Sequence, residues 1–221
     1  MMINRIYDKA KDIYLCAKSR FDPCPFGPQY QKYWIRRKEI FSKWDQGIRT
    51  DAVGLFSATP EKIADDIAKN VKAKTIIDAF CGIGATAIAF ARVCDKVFAV
   101  DINQDRLDMA KHNAEIYGVK DKIEFICGDI FETLHKVSAA AIFLDPPWGG
   151  VDYSKLEGFK LKDFNPDGNK LLEESFKRYQ EIILRVPRQF VLAELDRYQR
   201  PYRLQDNRLR SKLYSRTIYF S

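Results

Sequence analysis

The stretch Phe143-Leu144-Asp145-Pro146-Pro147-Trp148-Gly149-Gly150 gathers a carboxylate, two prolines, an indole and two glycines. The apolar run Ala139 to Leu144 before it reads as a short buried strand. Two prolines cannot continue a central strand. The acid therefore ends the strand and opens a loop that presents a carboxylate, a fixed carbonyl at Pro146 and the flat ring of Trp148. That set suits a planar base with an exocyclic amine. Asp145 and the Pro146 carbonyl accept the two N–H bonds, and Trp148 stacks on the ring. Such an amine is a poor nucleophile, because its lone pair is delocalised into the base. Holding both N–H groups out of plane frees the pair for an incoming methyl group. A Pro-rich turn with a half-buried Trp is the plainer alternative for the loop alone.

A second constellation lies upstream. Asp78-Ala79-Phe80-Cys81-Gly82-Ile83-Gly84-Ala85-Thr86 follows a predicted strand and opens a predicted helix. Gly82, Gly84 and Ala87 satisfy a dinucleotide fingerprint, so NAD is a candidate. Asp78 argues against it, since a carboxylate facing the turn would repel a pyrophosphate but attract an ammonium group. Asp101 ends the next strand, where it can take both hydroxyls of a ribose. Asp129 ends the third, where an adenine amine can donate to it. Acids closing three successive strands match the amino-acid, ribose and adenine parts of S-adenosylmethionine. Each acid alone could equally be a helix N-cap.

These groups need a scaffold, and the hydropathy pattern supplies one. Strands are expected at Thr75–Asp78, Lys96–Val100, Lys122–Cys127 and Ala139–Leu144, with helices at Ala85–Val93, Gln104–Tyr117 and Ile130–Val137. Gly118 is the expected cap after Tyr117. The alternation predicts an α/β fold with a doubly wound, mostly parallel sheet of the class I S-adenosylmethionine-dependent methyltransferase type. Lys170 to Leu184 reads as helix, Gln189 to Ala193 as strand, and Pro201 to Phe220 as two antiparallel strands. Gly54 to Ala58 reads as extended. Thr59-Pro60-Glu61 then carries a helix-start signature, with Thr59 as N-cap and the helix ending near Val71. Residues 1–20 have helical spacing with a basic face, and Gln29 to Trp44 reads as one helix packed by Tyr33, Trp34, Ile40, Phe41 and Trp44. Residues 1–50 are thus expected to form an N-terminal helical extension, basic and aromatic, and residues 51–221 a catalytic domain.

The net charge of +7 is uneven. Residues 1–50 carry +6 (11 basic, 5 acidic), residues 185–221 carry +6 (9 and 3), and the middle carries −5 (17 and 22). Basic ends around an acidic middle suit a polyanion such as RNA. Five cysteines without a CxxC point to a reducing compartment, nuclear or cytoplasmic. His112 and His135 lack ligand-spaced companions, so no metal is expected. No apolar run reaches the ~18–20 residues a membrane span needs.

Lys32-Tyr33-Trp34, Phe56-Ser-Ala-Thr-Pro-Glu-Lys-Ile63, Asp78 to Gly84, Asn113 to Gly118, Asp121 to Asp129 and Pro146-Pro-Trp-Gly-Gly150 occur in that order. With them the chain resembles the trimethylguanosine synthase family over roughly residues 29–221. The resemblance implies dimethylation of guanine N2 on the 7-methylguanosine 5′ cap of small nuclear and nucleolar RNAs, by a monomer, with a nuclear location favoured. It implies that Asp101 holds the donor's ribose. Asp78, Phe80, Gly82, Gly84 and the segment Phe56-Ser57-Ala58-Thr59 would line the donor pocket, and Asp129 would meet the adenine. Trp148 would stack on the methylated guanine, whose positive charge adds a cation–π contribution of roughly 0.5–2 kcal/mol. Lys32 would reach the cap phosphates, with Arg36 and the basic tail beside it. Some relatives carry Ser where this chain has Asp145, so Asp145 is expected to orient the amine rather than act as an obligatory base. Two alternatives stand at this point. One is an amino-methyltransferase acting on an internal guanine or adenine of ribosomal or transfer RNA. The other is a non-catalytic cap- or RNA-binding protein.

Overall fold

The computed structural model describes residues 22–149 and 157–221. The helix expected over residues 1–20 lies outside them, as do Gly150 and the start of the polar stretch after it.

The centre is a seven-stranded sheet in the order β3-β2-β1-β4-β5-β7-β6. Strands β1 (Thr75–Asp78), β2 (Lys96–Asp101), β3 (Ile123–Cys127), β4 (Ala141–Leu144) and β5 (Glu181–Pro187) pair in parallel. The hairpin β6 (Tyr202–Leu209) and β7 (Lys212–Phe220) adds to β5 antiparallel. Alternate strand residues enter two cores. Ile76, Phe143 and Ile183 pack into one, and Ile77, Ile142, Leu144 and Ile182 into the other. Both faces of the sheet are therefore covered, which is why β4 and β5 are buried at every position.

The chain runs outward from β1 to β3 and then returns to place β4 on the other side of β1. This reversal opens a crevice above the carboxyl ends of β1 and β4, where open α/β sheets bind ligands. Asp78 is the last residue of β1, and Asp145 directly follows β4.

Several local expectations give way. Gln29–Trp44 is not one helix. It breaks into helical turns at Pro28–Tyr30, α1 (Gln31–Trp34), α2 (Arg37–Ile40) and Trp44–Gln46. Trp34 meets Trp44 edge-on at 5.6 Å, and Arg37 lies 4.4 Å over the Trp34 ring. Tertiary contacts of the aromatics outweigh a continuous helix here. Gly54–Ala58 is not extended, because α3 (Ala52–Ser57) starts on Asp51, whose carboxylate caps the Gly54 N–H at 2.5 Å. A Cβ at Gly54 would come within 2.7 Å of Ile83, so this glycine lets α3 lie on the glycine turn. Helix α4 (Glu61–Ala68) is preceded by Pro60, and Thr59 does not cap it.

Helices α5 (Ala85–Val93) and α6 (Gln104–Tyr117) match expectation, α6 closing on Gly118 in the left-handed region (φ +70°). The helix after β3 is shorter than expected, α7 covering Ile130–Thr133. The expected helix Lys170–Leu184 is instead α8 (Gly168–Phe176) followed by β5. The expected strand Gln189–Ala193 is absent as a strand. Phe190 makes one isolated bridge to Phe159, and a 3-10 helix follows from Leu192 to Tyr198. Among the described residues no helix is long and apolar enough to cross a membrane.

Candidate active site

The glycine turn links β1 to α5. Gly82 (φ +51°) and Gly84 (φ +91°) both occupy the left-handed region, where a side chain is strained. Around Gly82 the space that a Cβ would fill is open. Behind Gly84 it is closed, with Ala110 of α6 within 3.1 Å. One glycine therefore faces the crevice, and the other permits the helices to approach. Asp101 at the end of β2 ties the turn down: Oδ2 accepts from the Gly82 N–H at 2.9 Å and Oδ1 from the Asn103 N–H at 2.9 Å.

Asp78 is fully buried, and its Oδ2 accepts from the Thr86 hydroxyl at 2.6 Å. Oδ1 has no hydrogen-bond partner. Burial raises its pKa to about 7; the Thr86 bond opposes the rise, and the carboxylates of Asp145 and Asp101 add to it. An acid buried at this cost with one oxygen unmet is matched to a cation arriving from the crevice. Asp129 is exposed at the end of β3 and caps α7 through the Phe131 N–H at 2.7 Å. Ile102, directly after Asp101, is 74 % exposed. An apolar side chain held open beside Asp101 suits the face of a flat base, and its position after a strand-terminal acid was the signal for it.

The loop after β4 completes the crevice. Pro146 is buried, and the Pro147 carbonyl accepts from the Asn165 N–H at 3.2 Å, which pins the loop. Trp148 is half-buried and packs on the second core. Asp145 is not a solvated acid. Its Oδ2 accepts from Arg185 Nη1 at 2.5 Å and from the Thr59 hydroxyl at 3.4 Å. The Arg185 guanidinium also lies 4.7 Å over the Trp148 ring. Burial pushes the Asp145 pKa up, against which Arg185, Thr59 and Trp148 act. Arg185 and the bridging part played by Thr59 were missed by sequence reasoning. The lone arginine inside the apolar run Ile182 to Val186 was the available signal.

The other expected residues lie on the amino-terminal side. Phe56 is half-buried under Tyr30, stacked at 6.1 Å, and Tyr33, tilted at 6.0 Å. Ser57 is exposed at the end of α3. Lys32 lies 4.7 Å over the Tyr33 ring. Arg36 is paired with Glu39 at 2.8 Å, and Glu39 also binds Arg210 at the β6–β7 turn. The structure thus gathers Asp78, the glycine turn, Asp101, Asp145, Pro146 and Trp148 along the crevice, while Lys32 and Arg36 stand on and beside the short amino-terminal helix α1.

The sequence family described as RNA cap guanine-N2 methyltransferase matches residues 73–219. The chain belongs to that family. The chain is 37% identical over 187 residues to the trimethylguanosine synthase of Schizosaccharomyces pombe, covering 79% of this chain and 78% of that one. It is 34% identical over 180 residues to the trimethylguanosine synthase of Saccharomyces cerevisiae, covering 75% of this chain and 57% of the yeast protein. A structure from Porphyromonas gingivalis W83 assigned as a methyltransferase shares the fold with a TM-score of 0.67 at 16% identity. It covers 90% of this chain, which spans 52% of that protein. A Streptococcus mutans structure assigned as an S-adenosylmethionine-dependent methyltransferase does so at 0.57 and 14%, covering 74% of this chain and 50% of its own. The enzyme is an S-adenosylmethionine-dependent methyltransferase, and the crevice fits that cofactor. Asp78 offers an unmet buried acceptor to an ammonium group, Gly82 leaves backbone open to approach, and Ile102 and Asp129 are exposed after β2 and β3. Among the described residues no group of three or more His, Cys, Asp and Glu side chains is placed to hold a metal ion.

Proposed function

We propose that this enzyme methylates the exocyclic N2 of a 7-methylguanosine 5′ cap, acting as a monomer on capped small nuclear and nucleolar RNAs. One observation carries the reading. The crevice at the β1/β4 reversal has the glycine turn with Asp78 on one side and the Asp145-Pro146-Pro147-Trp148 loop on the other. A donor site and an amine site then share one wall, as direct group transfer needs.

S-adenosylmethionine, when bound, supplies a sulfonium-activated methyl group and departs as S-adenosylhomocysteine. Asp78 would hold its ammonium, Asp101 its ribose and Asp129 its adenine amine, with Phe80, Gly82, Gly84 and the Phe56–Thr59 segment lining the pocket. Asp145 and the Pro146 carbonyl would accept the two N–H bonds of guanine N2. Trp148 would stack on the base, and Lys32 and Arg36 would meet the cap phosphates, giving binding a salt dependence. Thr59 is better placed to brace Asp145 than to touch the donor, because its hydroxyl is already engaged there. The basic, aromatic segment over residues 22–50 would act as an RNA-facing lid beside the catalytic domain. The family supports a nuclear location, and the free cysteines Cys24, Cys81, Cys94 and Cys127 suit a reducing compartment.

The reading is tested by comparing acceptors with labelled donor: 7-methylguanosine diphosphate, unmethylated guanosine diphosphate and an uncapped RNA with internal guanines. Transfer to the first alone is expected. Transfer to the uncapped RNA with none to the cap analogue would overturn it.

A further inference from the structure

Arg185 is the one buried Arg or Lys among the described residues, 2 % exposed in the middle of β5. Its Nε and Nη1 donors reach three elements. Nε binds Ser215 Oγ of β7 at 3.2 Å, and Nη1 binds Thr59 Oγ1 before α4 at 2.9 Å and Asp145 Oδ2 after β4 at 2.5 Å. Its plane is flanked by the Trp148 ring at 4.7 Å and the Tyr214 ring at 5.7 Å. Ser215 is braced in turn by Asn207 of β6 at 2.9 Å. A buried ion pair is poor value as a stabiliser, since the desolvation of both charges offsets their attraction and apolar residues often do as well. This pair is also asymmetric, the Asp145 side chain being 15 % exposed and the Arg185 side chain 3 %. Anything entering the crevice meets Asp145 and Trp148, with Arg185 behind both.

We propose that Arg185 is a positioning residue: it fixes Asp145 as an anionic hydrogen-bond acceptor and props Trp148 from behind, so that Asp145 orients the guanine amine and does not take its proton. The inference rests on the cap reading above and extends it. With Oδ2 engaged by Arg185 and Thr59, the carboxylate cannot rotate freely, and the guanidinium opposes the rise in proton affinity that burial causes. A strong base is not required. As the amine nitrogen gains its methyl group, its lone pair forms the N–C bond and the bonding pair of the broken C–S bond stays on sulfur. The nitrogen then carries one proton too many. It is strongly acidic, because losing that proton restores conjugation with the ring, so water takes it. The same arrangement leaves the base only the face of Trp148 away from the guanidinium.

The groups facing Asp145 are Asp78 on β1, Arg185 on β5, Tyr214 on β7, Thr59 before α4 and Trp148 in its own loop. Of these, Arg185 is the cation, and it opposes the rise that burial gives the Asp145 carboxyl. The test is the Arg185→Met variant beside Arg185→Lys and the neutral pair Asp145→Ser/Arg185→Met. Arg185→Met should lose about 100-fold in kcat at pH 7 with donor Kd within about twofold of wild type, since mispositioning of that kind costs about this much. Its acid limb should move to higher pH, so that part of the loss returns at pH 9. Arg185→Lys should keep the wild-type pH profile, and the neutral pair should exceed Arg185→Met at pH 7. A loss equal at all pH values, or an equal loss of donor binding, would overturn the proposal in favour of a merely structural role. Carboxyl-carbon NMR, with the Asp145 signal assigned by its absence in Asp145→Ser, reads the ionisation without any substrate. The signal should titrate at higher pH in Arg185→Met than in wild type, and an unmoved titration would overturn the proposal. A wild-type enzyme that methylates no cap analogue would instead overturn the cap reading, which the NMR result does not touch.

Discussion

The Thr86 hydroxyl donates to Oδ2 of Asp78 at 2.6 Å, joining the first turn of α5 to the end of β1 beneath the glycine turn. That bond leaves Asp78 with one satisfied and one unmet oxygen in a fully buried place. A pKa raised to about 7 follows, mainly from burial.

Donor binding should therefore depend on pH. An ammonium group needs Asp78 ionised, so affinity should fall by up to about tenfold per pH unit below pH 7 and level off above it. Calorimetric titration of S-adenosylhomocysteine from pH 5.5 to 8.5 measures this, and Asp78→Asn should flatten the curve. The ligand-free protein should show the opposite trend in stability. A carboxyl whose folded pKa is about 7, against 3.8 for an unperturbed group, keeps its proton in the native state but not in the unfolded one. This group's contribution therefore wanes as pH rises through that window.

Asp101 should matter for the donor and not for the cap. Its bond to the Gly82 N–H fixes the glycine turn, and losing a charged hydrogen bond costs about 1.5–3 kcal/mol. Asp101→Ala should weaken S-adenosylhomocysteine binding by roughly 10–100-fold while 7-methylguanosine diphosphate binding changes little. Undiminished donor affinity would remove Asp101 from the ribose site.

Trp148→Ala should do the reverse. Stacking on an aromatic ring contributes ~1–3 kcal/mol per base, so the Kd for 7-methylguanosine diphosphate should rise about 10–100-fold. Donor binding should stay within about twofold. Equal loss of both ligands, with a lowered Tm, would mean that Trp148 acts through its packing on the core.

Gly84→Ala addresses the turn itself. The position has φ +91°, and a Cβ there would stand 3.0 Å from the Ala110 Cβ and 3.1 Å from its Cα. Urea unfolding should show a loss of roughly 1–3 kcal/mol, accompanied by weaker donor binding. Gly82→Ala should be milder in packing, because nothing stands within 4 Å of its Cβ position.

What could be read from the residues follows from how parallel sheets are built. Strands β1 and β4 are buried on both faces, so they appear as short apolar runs, and the acids that end them mark the crevice directly. Asp78 and Asp101 end β1 and β2, Asp145 directly follows β4, and Asp129 stands two residues past β3. Arg185 was hidden because Lys170 to Leu184 carries apolar residues at helical spacing across the true boundary after Phe176. Nothing between Lys177 and Gln180 is a glycine or proline to mark the break. Thr59 carries a sound capping signature, yet a charged pair competes more strongly for its hydroxyl than a backbone N–H does. The segment Gln29–Trp44 has aromatics at helical spacing, but Trp34, Trp44 and Phe56 are placed by ring contacts that no local pattern reports.

The most direct test of the central claim is mass analysis, with fragmentation, of 7-methylguanosine diphosphate after incubation with enzyme and S-adenosylmethionine. The structure and family lead to a gain of one or two methyl masses, all on N2. A cap analogue of unchanged mass, recovered from an enzyme shown by calorimetry to bind the donor, would contradict the account.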